Sequence, residues 1–277
     1  MNAPERMVFP DMQSKIDSRN IHIDAVGVKG VRYPVTISAR GKPVPTIAAL
    51  SLTVGLSAIA KGTHMSRFIE LLEAQTEALD QTRFKGLVFD MLQRLGAQTG
   101  AIEMRFPYFM TKSAPVSGVK SQLDYEVSWT GSVTVSGEYA FSMRVTVPVT
   151  SLCPCSKEIS EYGAHNQRSH VMIEVELAAA MPIEGLIAIA EASGSCEVYS
   201  LLKRVDEKYV TEAAYDNPKF VEDLVRDVAL ALNREPRVRA YVVEAENFES
   251  IHNHSAFARV TRPRDHDAIE AYSTPRQ

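Results

Sequence analysis

No apolar run in the sequence approaches the roughly 18–20 residues needed to span a bilayer. The opening stretch MNAPERMVFPDMQSK has no apolar core followed by a small-residue cleavage site. Membrane embedding and export are therefore not expected, and the chain reads as cytoplasmic. Cysteine is scarce and odd in number, at Cys153, Cys155 and Cys196. That argues against a disulfide framework and for reduced thiols with a chemical or core role. An excess of one charge is also missing: 30 Lys and Arg stand against 34 Asp and Glu, for a net charge of −4. No global basic field draws nucleic acid or an anionic membrane, so a phosphorylated substrate would need a local cluster of Lys, Arg and His. Neither a glycine-rich dinucleotide loop nor a P-loop occurs, and those nucleotide-binding architectures lack their fingerprints.

What is present is ordinary globular composition, 45% hydrophobic and 23% charged over 277 residues, enough to bury a core without staples. Val- and Ile-rich residues 23–37 read as a strand and Gly41-Lys42-Pro43 as a turn. A second strand follows over 47–58, with Leu50, Leu52, Val54 and Leu56 on one face. The period then changes. From Ser66, placed as an N-cap, Phe68, Ile69, Leu72 and Leu79 fall near helical spacing. A second helix carries Phe84, Leu87, Val88, Met91, Leu92 and Leu95 and stops at Gly96. Strands follow over 101–111 and 121–135, and Pro107 marks the first as irregular or near an edge.

The second half repeats this order. Strands over 137–150 and 168–178 precede a helix over 182–192. Next comes a helix capped by Asn217 with Pro218 in its first turn, then strands over 238–248 and 254–262. The expectation is an α+β chain of antiparallel sheets with helices on one face. It has an N-terminal arm (1–20), two strand-strand-helix-helix-strand-strand units (21–135 and 136–265) and a C-terminal tail (266–277).

The densest chemistry lies in VTSLCPCSKEISEYGAHNQRSH, residues 149–170. A loop of this length inside a compact domain is usually functional or disordered, and this one holds two Cys, two His, Lys and Arg. Cys153 and Cys155 lack the Cys-x-x-Cys spacing of structural zinc sites. One thiolate is therefore read as ligand or nucleophile and the other as packed or supporting it from behind. His165 is far enough along for the loop to fold back and bring it to the same ion. His252 and His254 flank one residue before a strand, a spacing that suits a metal or a proton relay. Glu222 sits near the apolar stripe of its helix, either holding a ligand or simply favoured by the helix dipole. Lys61, His64 and Arg67 at a strand-to-helix junction suit phosphate.

Taken together, SLCPCSKEISEYGAHNQRSH, KGTHMSRF, EKYVTEAAYDNPKFVED and ESIHNHSAFA resemble the GTP cyclohydrolase IB family over about residues 20–262. The resemblance implies the tunnelling fold, with two units per subunit, and a homotetramer with active sites at subunit interfaces. It implies conversion of GTP and water to 7,8-dihydroneopterin triphosphate and formate, the first step toward tetrahydrofolate. It further implies a divalent metal (Mn, Fe(II) or Zn) held by Cys153, His165, Glu207 and His252, with Glu222 anchoring the guanine. Metal-activated water attacking guanine C8 fits such a mixed S, N, O donor set. His254 and His170 are the candidates for proton transfer. Lys61, His64, Arg67, Lys157 and Arg168 are the candidates for the triphosphate.

Two other readings compete. One is a thiol enzyme of the same fold, in which a cysteine attacks a deazapurine covalently. The other is a non-catalytic module in which metal merely ties the loop to the C-terminal strand.

Overall fold

The computed structural model describes residues 11, 13 and 15–264. The expected tail (266–277) and most of the first ten-odd residues of the expected arm lie outside them. The first half folds as β1 (Ile23–Ala39), β2 (Lys42–Leu56), α1 (Ser66–Glu73), α2 (Gln81–Leu95), β3 (Gly100–Ser113) and β4 (Lys120–Val133). The second half is β5 (Tyr139–Leu152), α3 (Pro154–Ile159), β6 (Asn166–Leu177), α4 (Ile183–Ser193), β7 (Cys196–Glu197), α5 (Arg204–Asp216), α6 (Val221–Asn233), β8 (Val238–Asn247) and β9 (Ala256–Arg262). The doubled order expected from the sequence is therefore present, with α3, β7 and α5 added to the second copy.

All pairings between these strands are antiparallel, in the order β1-β2-β3-β4-β5-β6-β8-β9, with β7 against β5. Strict alternation makes this possible. Ile102, Met104 and Phe106 of β3, Val127 and Trp129 of β4, Met143 and Val145 of β5, and Ile173 and Val175 of β6 all point into one core. The helices α2, α4 and α6 pack on that face, while charged residues such as Arg105, Arg144, Glu174 and Glu244 alternate with the core positions. Trp129 meets Phe106, Phe84 and Phe141 edge-on at centroid distances of 5.5, 5.7 and 5.9 Å, an arrangement the ring quadrupole favours. Gly131 permits the close approach of α2: a Cβ there would lie 2.9–3.1 Å from the Tyr139 hydroxyl, Val88 and Phe84.

The two halves share one continuous sheet through β4 and β5 and are tied by a buried cation. Lys112 of β3 donates to Glu191 of α4 (2.7 Å) and the Val198 carbonyl (3.0 Å), and it pairs with Glu197 (2.7 Å). The Tyr125 hydroxyl donates to the same Glu191 oxygen.

Three local expectations are refined. Ser66 is the first residue of α1, with Met65 preceding it as the cap. Asn217 does not start α6. It ends α5, and its amide donates to the carbonyls of Gly194 and Ser195, while α6 begins at Val221. The proline after it is spent in the connection between helices rather than in a first turn. β3 loses its β2 partner beyond Arg105, just before Pro107, consistent with the irregularity expected there. No helix among the described residues is long and apolar enough to cross a membrane.

Candidate active site

Antiparallel register sorts the candidate residues by sheet end. Val54, Gly100, Val133 and Tyr139 are aligned across β2 to β5 at one end. The opposite end carries the β3–β4 turn, the β5–β6 connection that begins after Leu152, and the β8–β9 loop. Cys153, Lys157, His165, His252 and His254 thus belong to one end of the sheet.

At that end the chain after β5 turns directly into α3. Cys153 is its N-cap, with Pro154 at the first helical position, where the missing N–H costs nothing. The Cys153 sulfur accepts from the Ser156 N–H (3.4 Å), and the Cys153 N–H donates to the His165 carbonyl (3.1 Å). The Ser156 hydroxyl donates to the Cys153 carbonyl (3.2 Å) and accepts from the His165 N–H (3.1 Å). The fold-back expected from spacing is therefore built from one backbone bond and the bridging Ser156 hydroxyl, and it brings Cys153 and His165 together. The His165 ring is oriented by Gln167 Oε1, 3.0 Å from Nδ1, with a Glu249 carboxylate oxygen at 3.8 Å on the same nitrogen. Cys155 is exposed rather than packed, because the turn into α3 carries its side chain to the solvent side.

Helices α5 and α6 complete this end. Asp206 in the first turn of α5 is fully buried and accepts from the Val116 and Ser117 N–H groups, the Ser117 hydroxyl and the Lys203 N–H. Burial pushes its pKa up, but the donors from Ser117, Lys203 and Val116 outweigh that and hold the carboxyl well below the usual range. It therefore clamps α5 to the β3–β4 turn and leaves its neighbour Glu207 exposed. The Lys219 N–H donates to the Leu152 carbonyl (3.0 Å), which brings the start of α6, and with it exposed Glu222, to the residue preceding Cys153. Lys157 donates to the Tyr215 carbonyl (2.5 Å) and lies 4.2 Å from the centre of the Tyr215 ring. His252 and His254 are exposed and stack at 5.2 Å. His170 faces outward from β6 against Phe248 at 4.8 Å, and Arg168 points outward from the same strand.

Lys61, His64 and Arg67 follow β2 and so lie at the other end of the sheet. There Arg67 donates to the Arg94 carbonyl (3.1 Å), and His64 approaches Asp11 at 3.4 Å. Among the described residues of one chain, no three His, Cys, Asp or Glu side chains come together closely enough to hold an ion. The single chain pairs Cys153 with His165, but it does not gather them with Glu207 and His252.

Sequence reading missed the residues behind His165, namely Gln167, Ser151, Ser169, Asn247 and Glu249. The signal was available in NQRSH, where Gln167 and Ser169 fall on the apolar, inward phase of a strand.

Among solved structures, uricase from Arthrobacter globiformis superimposes with a TM-score of 0.52 at 9% identity, covering 87% of this chain and 94% of that one. Urate oxidase from Bacillus sp. TB-90 does so at 0.51 and 10%, covering 88% and 100%. At such identity the likeness shows the fold alone, the tunnelling fold. In sequence, a GTP cyclohydrolase FolE2 of Burkholderia ambifaria (strain MC40-6) is 59% identical over 94% of this chain and 97% of its own length. One from Azoarcus sp. (strain BH72) is 56% identical over 95% and 98%. The model of the type I GTP cyclohydrolase folE2 family matches residues 9–258, and on that extent of likeness the chain belongs to this family.

Proposed function

We propose that the chain hydrolyses GTP to 7,8-dihydroneopterin triphosphate and formate, the first step toward tetrahydrofolate, at a divalent metal held by Cys153, His165, Glu207 and His252. The observation that carries this is the Cys153–His165 pairing at the sheet end within a chain whose family likeness runs nearly its full length.

The donors present fit a borderline divalent cation. The Cys153 sulfur is already an acceptor for a helix-start N–H, and His165 has acceptors on Nδ1, which leaves Nε2 as a donor to metal. Manganese, Fe(II) and zinc all suit such a set, and availability chooses between them. Bound there, the metal supplies an activated water for attack at guanine C8.

The remaining work falls to the chain. Glu222 would accept the N–H donors of the guanine edge in paired hydrogen bonds, which orient the base and select it. Breaking the C8–N9 bond requires a proton at N9, and His254 and His170 are the side chains assigned to bring it. Lys157 and Arg168, with Lys61, His64 and Arg67, are assigned to the triphosphate.

Because the last three lie at the opposite sheet end, they join the others only across two copies. A homotetramer with its sites between subunits would meet that requirement. Exposed apolar side chains at this end favour such contacts: Ile159 and Tyr162 of the Cys153 loop are 84% and 97% exposed and Ile251 63%. The covalent thiol reading is disfavoured by the family likeness, which runs over nearly the whole chain.

The test is to strip the protein with chelator, then follow formate and pterin triphosphate from GTP before and after adding Mn or Zn. Metal-restored activity supports the assignment; full activity in metal-free protein refutes it.

A further inference from the structure

Behind His165 a line of buried polar side chains runs across three strands. Ser151 of β5 is the register partner of Gln167 of β6, and Ser169 of β6 is the partner of Asn247 of β8. All four are nine-tenths or more buried. The Gln167 Nε2 donates to Ser151 Oγ (2.8 Å), Ser151 and Ser169 share a hydroxyl bond (2.7 Å), and Ser169 Oγ donates to Asn247 Oδ1 (2.7 Å).

Each hydroxyl has one proton, so Asn247 Oδ1, which accepts from Ser169, sets the direction of the whole line. Ser169 commits its proton to Asn247, so Ser151 must donate to Ser169. Ser151 then has only lone pairs to offer Gln167, whose NH₂ turns toward it. That leaves Gln167 Oε1 facing His165 Nδ1 at 3.0 Å. A carbonyl oxygen accepts only, so Nδ1 must carry the ring proton. The Glu249 carboxylate, an acceptor like the Gln167 oxygen, lies 3.8 Å from the same nitrogen.

We propose that Asn247, acting through Ser169, Ser151 and Gln167, fixes His165 as the Nδ1–H tautomer and so keeps its Nε2 lone pair free for the metal. These four are positioning residues, and the proposal rests on the reading of His165 as a ligand. Neutral imidazole in water favours the opposite tautomer, with the proton on Nε2, which must move before metal can bind. Groups that hold a ligating histidine in this way are worth about 10–100-fold in metal affinity.

The test is long-range ¹H–¹⁵N correlation NMR on metal-free, histidine-labelled protein, which distinguishes the two neutral tautomers from the doubly protonated ring. His165 is assigned by its loss in His165→Ala. Zinc affinity is measured in parallel by competition with a chromogenic chelator. Wild type should show Nδ1–H. Gln167→Met and Asn247→Leu should lose that signature and bind zinc about 10–100-fold more weakly. Asn247→Asp, an acceptor only, should retain both.

An Nε2–H His165 in wild type overturns the proposal without requiring any variant to fold. Weak zinc binding in His165→Ala together with an unchanged Nδ1–H signal in Gln167→Met and Asn247→Leu overturns the relay and leaves the ligand reading standing. Undiminished zinc affinity in His165→Ala removes the ligand reading, and the proposal with it.

Discussion

The Cys153 N–H donates to the His165 carbonyl at 3.1 Å, so the loop between them is closed by the protein's own backbone. With the Cys153 sulfur accepting from the Ser156 N–H and the His165 ring held by Gln167, the two side chains lose little further freedom on binding, which is the physical content of preorganisation. Replacing Cys153 with Ala is therefore expected to cut zinc affinity by about 100-fold or more and to abolish formate release. Cys155→Ser, at an exposed thiol, should leave both near wild type. Metal content after desalting and a formate assay check the pair. Equal effects of the two substitutions would contradict the assignment.

Glu222 stands exposed in the first turn of α6 beside the end of β5. If it reads the guanine edge, Glu222→Gln should lower kcat/KM for GTP by about 10²-fold or more, since the amide presents an N–H to an N–H. Zinc content should not change. Steady-state kinetics with metal analysis separates the two effects, and unchanged kinetics would remove Glu222 from the site.

Lys112 is nearly enclosed between Glu191 and Glu197. Lys112→Met leaves those carboxylates without their cation and is expected to cost about 3–5 kcal/mol, read from urea unfolding. A loss below about 1 kcal/mol would mean that water reaches the pair and screens it.

Asp206 makes acid stability directional. Its folded pKa lies below the unfolded value of 3.8, so the unfolded chain takes the proton more readily. The contribution is complete above the unfolded pKa and is lost as pH falls below it toward the folded value. Asp206→Asn turns an N–H toward donor groups. It should lower Tm at neutral pH, with the gap to wild type narrowing on acidification below about pH 4. A pH-independent gap would contradict the clamping role.

The doubled order of strands and helices along the chain was legible because each buried strand alternates cleanly, as at Met143, Val145 and Val147 of β5. Helix α5 was not. Its buried residues are Asp206 and Ala214, so it carries no apolar stripe and reads as a charged stretch. The same fact hid Asn217, whose side chain closes α5 instead of opening α6. The Cys153 loop stood out by residue type alone. The sheet end on which Lys61, His64 and Arg67 fall did not, because it depends on counting strand directions across β2 to β5.

The most direct test is a crystal structure of the assembled, metal-loaded protein with anomalous data collected at the metal's absorption edge. One strong peak per site is expected, contacted by Cys153, His165, Glu207 and His252. A peak remote from Cys153, or an active protein with no peak at all, would contradict the metal-centred reading.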